Sequence, residues 1–144
     1  MFKLSKAGRQ KLQTCDDDIQ LIVNTALSIS RVDFGIAEGH RSVELQQEYF
    51  RLGKSRVDGI KIKGKHNYSP SRAFDIYGYV NGKTNYEKDT MCYLAGLIIA
   101  VSEMLYFSGR IDSRLRWGGN WDKDGVILSD QKFDDMPHFE IYKP

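Results

Sequence analysis

Two cysteines, Cys15 and Cys92, are too few and too far apart to build a disulfide framework or a cysteine-based zinc site, and a chain folded in the cytosol keeps them reduced. A secretory leader is not expected either, since MFKLSKAGRQKLQ holds no apolar run of about seven residues and no small-residue cleavage site. Nor is there a clean membrane span. The longest apolar segment, Met91 to Phe107, is broken by Ser102 and Glu103 and falls short of the roughly 20 residues a span requires, so it reads as a buried helix with no membrane insertion. Repeats, low-complexity tracts and linkers are absent, and 144 residues suit one compact domain over 1–144. Histidine is scarce as well, with only three.

Charge nearly balances, at a net +2, but it is unevenly placed. Arg51 to Arg72 holds Arg51, Lys54, Arg56, Lys61, Lys63, Lys65 and Arg72 against the single Asp58, whereas Asp122 to Glu140 is mainly acidic. A basic run of this kind attracts polyanions, although most such runs are solvated loops. The aromatics do not interleave with the lysines as stacking platforms for bases, so nucleic acid is not an expected partner.

Periodicity gives the organisation. The first thirty residues are predicted helical, with Asp16, Asp17 and Asp18 suited to a first helical turn, where the helix dipole favours negative charge. RVDFGIAEG alternates as a half-buried strand ending at Gly39, and Ser42 is a fitting N-cap for a short helix that stops at Gly53. Residues 54–72 lose all regular pattern, and a loop of that length inside a small domain is often functional. AFDIYGYV then reads as a strand, 87–108 as the long core helix, and LRWGGNW and MPHFEIY as two closing strands. The expected fold is a single α+β domain with a small antiparallel sheet packed against helices.

The chemistry lies in GKHNYSPSRAFDI and FDDMPHFEI. A catalytic zinc takes three protein ligands, typically imidazole nitrogens and a carboxylate, and His66, Asp75 and His138 supply that set. Asp75 sits between Phe74 and Ile76, so strand alternation turns it away from its apolar neighbours: either to solvent or to a partnered site. Asp135 stands three residues before His138, a separation that sends two side chains to opposite faces of an unbroken strand; Pro137 between them allows a bend. A carboxylate at that place could move a proton during hydrolysis, with Asp134 and Glu140 as rivals in the same segment. His40, beside a helix start, reads as a surface or supporting residue.

These two segments resemble the zinc peptidases that include D-Ala-D-Ala carboxypeptidases and L-alanyl-D-glutamate endopeptidases, most of all single-domain phage endolysins. The resemblance spans nearly the whole chain. It rests on a Ser-x-His…Ala-x-Asp segment, here GKHNYSPSRAFD, followed far downstream by an acidic residue-x-x-His, here DMPH. It implies Zn2+ held by His66, Asp75 and His138, Asp135 as catalytic base, and Arg41 of EGHRS as the arginine that helps hold substrate and oxyanion. The implied substrate is the peptidoglycan stem peptide, cut between L-Ala and D-Glu by a monomeric enzyme made in the host cytoplasm and released to the wall. Trimming of terminal D-Ala, or wall binding around a structural metal, are the competing readings. Gly64 departs from the pattern, which has serine two residues before the first histidine, and Ser69 or Ser71 is expected to supply the lost hydrogen bond. Two glycines in WGGNW are expected to let backbone approach a substrate.

Overall fold

The computed structural model describes residues 1–128 and 130–144. Helix α1, Lys6–Gln13, is capped by Ser5, whose side chain accepts from the Gly8 amide. Helix α2, Asp17–Ile29, starts afresh at Asp16, whose carboxylate accepts from the Asp18 amide. The aspartate cluster begins a second helix, as suits a first turn, and the helical first thirty residues are divided at Thr14 to Asp16. The break is used: Cys15 bridges to Ser71, with Ser71 N donating to Thr14 O and Asp16 N donating to Ser71 O, both at 2.9 Å, which anchors the chain just before the central strand.

Five strands follow, β1 (Asp33–Glu38), β2 (Ala73–Val80), β3 (Lys83–Asn85), β4 (Arg114–Gly118) and β5 (Asp135–Tyr142), with helices α3 (Val43–Arg51) and α4 (Lys88–Phe107). The sheet runs β1-β2-β5-β4, with β3 turning back on β2, and every pairing is antiparallel. This is the expected α+β architecture. Ser42 caps α3 through the Leu45 amide, and Gly53, at φ +75°, ends it in a left-handed conformation that glycine adopts without strain.

Alternation divides the sheet into two faces. Phe74 and Ile76 of β2, Ile36 of β1 and Phe139 and Ile141 of β5 point inward with Ile19, Ile22 and Val23 of α2 and Leu94 and Ile98 of α4. Phe74 and Phe139 stack at 5.2 Å between ring centroids, and burying one such side chain contributes about 1.5–3 kcal/mol. By length and composition α4 passes for a membrane span, yet Met91, Leu94, Ala95, Ile98, Val101 and Leu105 bury one side of it in this core. The opposite face of the sheet is thereby left for polar residues. β4 is shorter than LRWGGNW suggested: it ends at Gly118, and Trp121 lies in the turn beyond.

Candidate active site

Two irregularities in the ladder put the polar residues on one face. Between β1 and β2, Ile36 pairs with Ile76 but Glu38, not Ala37, pairs with Asp75; the extra residue keeps Ile36 in the core and brings Glu38 beside Asp75. Between β4 and β5, Trp117 pairs with Phe139, while Gly118 skips to Asp135, leaving Met136, Pro137 and His138 bulged against β4. Trp117 Nε1 donates to Met136 O at 2.7 Å and holds that bulge. The odd spacing of Asp135 and His138 is thus resolved around Pro137, and both side chains line one groove. His138 still pairs with Asp75 on its other side, and Glu140 follows two residues on, facing the same way.

Gly118 is required by this packing. A Cβ there would overlap the carbonyl oxygen of Asp135, and one at Gly119 would overlap the Trp117 ring. The glycines of WGGNW thus make room for the protein's own strand and indole, where the sequence suggested approach to a substrate. Gly118→Ala should push Asp135 aside while leaving the histidines in place. We expect hydrolysis to fall by roughly a hundredfold, the scale of an ångström-sized misplacement, with metal content unchanged as measured by elemental analysis.

His66 arrives on a short 3-10 turn, Lys65–Asn67, at the end of the long loop. One backbone and one side-chain hydrogen bond lock it against the segment that leads into α3: Arg41 N donates to His66 O at 2.7 Å, and Asn67 Nδ2 donates to Arg41 O at 3.0 Å. Its Nδ1 lies 2.7 Å from Gly39 O; a carbonyl can only accept, so Nδ1 carries the proton and Nε2 presents a lone pair. His138 is held in the mirror sense. Its Nε2 lies 3.0 Å from Glu140 Oε1, and Glu140 Oε2 receives Arg116 Nη2 at 2.8 Å. Burial works to raise the Glu140 pKa, but the bonds from His138 and Arg116 bring it down to about 2, so the carboxylate accepts and His138 Nδ1 is left with its lone pair inward.

Three donor atoms therefore converge: His66 Nε2 is 3.3 Å from His138 Nδ1 and 3.4 Å from Asp75 Oδ1, which is 3.1 Å from His138 Nδ1. Ligand atoms bonded at about 2.0–2.1 Å on a tetrahedral zinc stand about 3.3–3.4 Å apart, so the donor set fits that ion in kind and spacing. Two facing lone pairs and a carboxylate call for a positive charge. Without an ion, a proton on His138 Nδ1 supplies it: burial opposes the charged ring, yet the hydrogen bonds it donates to Asp75 and Glu140 push its pKa up to about 9, and a metal would take the place of that proton. Burial disfavours the charged form of Asp75 too, but its contacts with His138 and His66 outweigh that and hold this carboxyl below the usual range.

The sequence assigned His66, Asp75 and His138 to one site, and the structure brings them together. It also brings Asp135 and Arg41 to the same groove. Arg41 donates from Nε and Nη2 to Glu38 at 2.6 and 2.8 Å and from Nη1 to Gln46 Oε1 at 2.8 Å, and its Nη2 is 3.8 Å from Asp75 Oδ2. Burial disfavours its charge, but the Glu38 carboxylate more than compensates and raises its pKa. Asp134 is exposed and accepts from Gln131, and His40 is exposed as expected. Ser71 does not support the three converging side chains: its hydroxyl donates to Ala73 O, and the groups behind the two imidazoles are Gly39 O and Glu140.

Glu38, Gln46 and Glu140 are the residues whose roles sequence reasoning missed. For Glu140 a signal existed, since period-two alternation puts it on the face of His138. Its place behind the ring makes it an orienting residue, not a rival base. Glu140→Gln should weaken metal binding by about 10–100-fold, read by competition with a chromophoric chelator.

The sequence profile of "Phage L-alanyl-D-glutamate peptidase" matches residues 1–142. The "L-alanyl-D-glutamate peptidase" of Escherichia phage T5 is 27% identical over 125 residues, covering 86% of this chain and 85% of that protein. The crystal structure of the Serratia marcescens L-Ala D-Glu endopeptidase ChiX superposes with a TM-score of 0.76 over 97% of this chain and 90% of that one, at 23% identity, so the two share a fold. With the fold, the converging donors and a match along almost its full length, this chain belongs to the phage L-alanyl-D-glutamate peptidase family.

Proposed function

We propose that the protein is a zinc-dependent peptidoglycan hydrolase that cleaves the L-Ala–D-Glu bond of the stem peptide. The observation that carries this reading is the convergence of two imidazole lone pairs and a carboxylate oxygen beside an independent carboxylate, Asp135, in one groove. His66, Asp75 and His138 would hold the metal. When bound, zinc polarises a carbonyl and makes water a better nucleophile near neutral pH. Asp135 accepts the proton released as water adds to the carbonyl carbon, and passes it to the amine as the C–N bond breaks, leaving a carboxylate and a free amino group. Burial raises the Asp135 pKa, which favours both halves of that proton transfer near neutrality. Arg41 has five N–H groups, of which Glu38 and Gln46 take three; the remaining two can meet the carbonyl oxygen as it gains charge.

A purely structural zinc uses four protein ligands, and among the described residues only three donors converge at this site, which disfavours the wall-binding reading. The enzyme would meet its substrate once released from the cell that makes it. Purified wall should be degraded by the protein, not after chelation, and again when zinc is restored. Full activity in chelator would refute the metal-dependent reading.

A further inference from the structure

The groove that holds the site has a volume of about 720 Å³, and one wall is built from the long loop, with Lys54, Arg56 and Lys65. Its acidic residues are mostly neutralised from within. Glu38 is matched by Arg41, Glu140 by Arg116, and Asp75 belongs to the metal ligands. The three cations are different: among the described residues, no carboxylate forms an ion pair with any of them. Two are nevertheless held in place. The Arg56 guanidinium lies 4.8 Å from the centroid of Phe133 and the Lys54 ammonium 5.8 Å from that of Tyr49, contacts that order a cation without cancelling its charge.

The backbone beneath Arg56 is fixed as well. Gln46, 1% exposed, donates from Nε2 to Ser55 Oγ at 2.7 Å and to Val57 O at 2.6 Å, gripping the residues on both sides of Arg56 while its Oε1 holds Arg41. An ordered, unneutralised cationic wall is a site for anions. On the other side of Asp135 lies a second recess of about 420 Å³, bordered by Tyr86, Ile127, Met136 and Pro137, where Lys88 and Asp134 balance in charge. Asp135 stands between a cationic arm and an apolar one.

A stem peptide has the same asymmetry. On the N-terminal side of the L-Ala–D-Glu bond, alanine is joined by an amide to an uncharged lactyl group. On the other side, γ-linked D-Glu keeps a free α-carboxylate, and the C-terminus of the peptide supplies another. We propose that Lys54, Arg56 and Lys65 bind the carboxylates on the D-Glu side of the scissile bond, so that charge sets the direction in which the peptide lies. This rests on the hydrolase reading above and adds the residues that select the substrate.

The test compares two synthetic stem peptides, one with D-Glu and one with its α-carboxamide, D-isoglutamine. The zinc-loaded wild type should cut the carboxylate peptide with a kcat/KM roughly 10–100-fold higher, mainly through KM, and the preference should shrink as salt is raised. In the double variant Lys54→Gln/Arg56→Gln the ratio should fall towards one, and Arg56→Lys should keep most of it. Equal cleavage of both peptides by the wild type, or an undiminished ratio in the double variant, would overturn the cationic arm and leave the hydrolase reading standing. If neither peptide is cut between L-Ala and the next residue, both readings fall.

Discussion

His66→Ala and His138→Ala will each strip the protein of bound zinc and reduce hydrolysis by about a thousandfold or more. Each removes one of three donors whose atoms lie 3.1–3.4 Å apart, and the two left cannot close a tetrahedral site. The lost Lewis acidity is worth several kcal/mol of barrier, at about 1.4 kcal/mol per tenfold in rate. Stability gives a second reading. A ligand at a hundred times its dissociation constant stabilises the native state by about 2.7 kcal/mol, so added zinc should raise the melting temperature of the wild type and leave both variants unmoved. One zinc per chain retained in both variants would refute the ligand assignment.

Asp135→Asn should separate the base from the ligands. It keeps shape and removes the proton acceptor, so zinc stays bound while turnover falls by on the order of a hundredfold to ten-thousandfold. The acid side of the rate profile carries the sign. Asp135 must be ionised to accept a proton, and burial raises its pKa, with Asp75 adding repulsion and His138 acting against it. Activity of the wild type should therefore fall, as pH drops, at a higher pH than an ordinary aspartate would give, and this limb should vanish or move in the variant. Asp134→Asn, at an exposed carboxylate bonded to Gln131, should change turnover only a few-fold. Loss of zinc from Asp135→Asn would make Asp135 a ligand and leave the base unassigned.

Much of the site could be read from the sequence because its signals are local. Asp75 flanked by Phe74 and Ile76 is a carboxylate on the outward beat of an otherwise apolar strand, and Ser42 before a periodic run marks the start of α3. What escaped depends on contacts between distant segments. Gly39 O serves His66 across 27 positions through a backbone atom, which no side-chain pattern announces. The bulge that reunites Asp135 with His138 is set by the register of β4 against β5, and Pro137 only hinted at it. Glu38 reaches the site through a one-residue slip in β1, and Gln46, a polar residue inside a helix, becomes a buried clamp only because the long loop folds over it. The aspartates announced the first turn of α2, but nothing before them marked where α1 ends, because the bridge of Cys15 is to Ser71, far along the chain.

The bond that is cut decides the account. Purified peptidoglycan digested by the zinc-loaded protein should be resolved by mass spectrometry, with labelling of the newly formed amino groups. The geometry and the family together predict new D-glutamyl amino termini and glycan strands whose lactyl groups keep only L-alanine, in amounts that Asp135→Asn reduces and chelation abolishes. Release of free D-alanine without any new D-glutamyl terminus would contradict it and make the protein a carboxypeptidase.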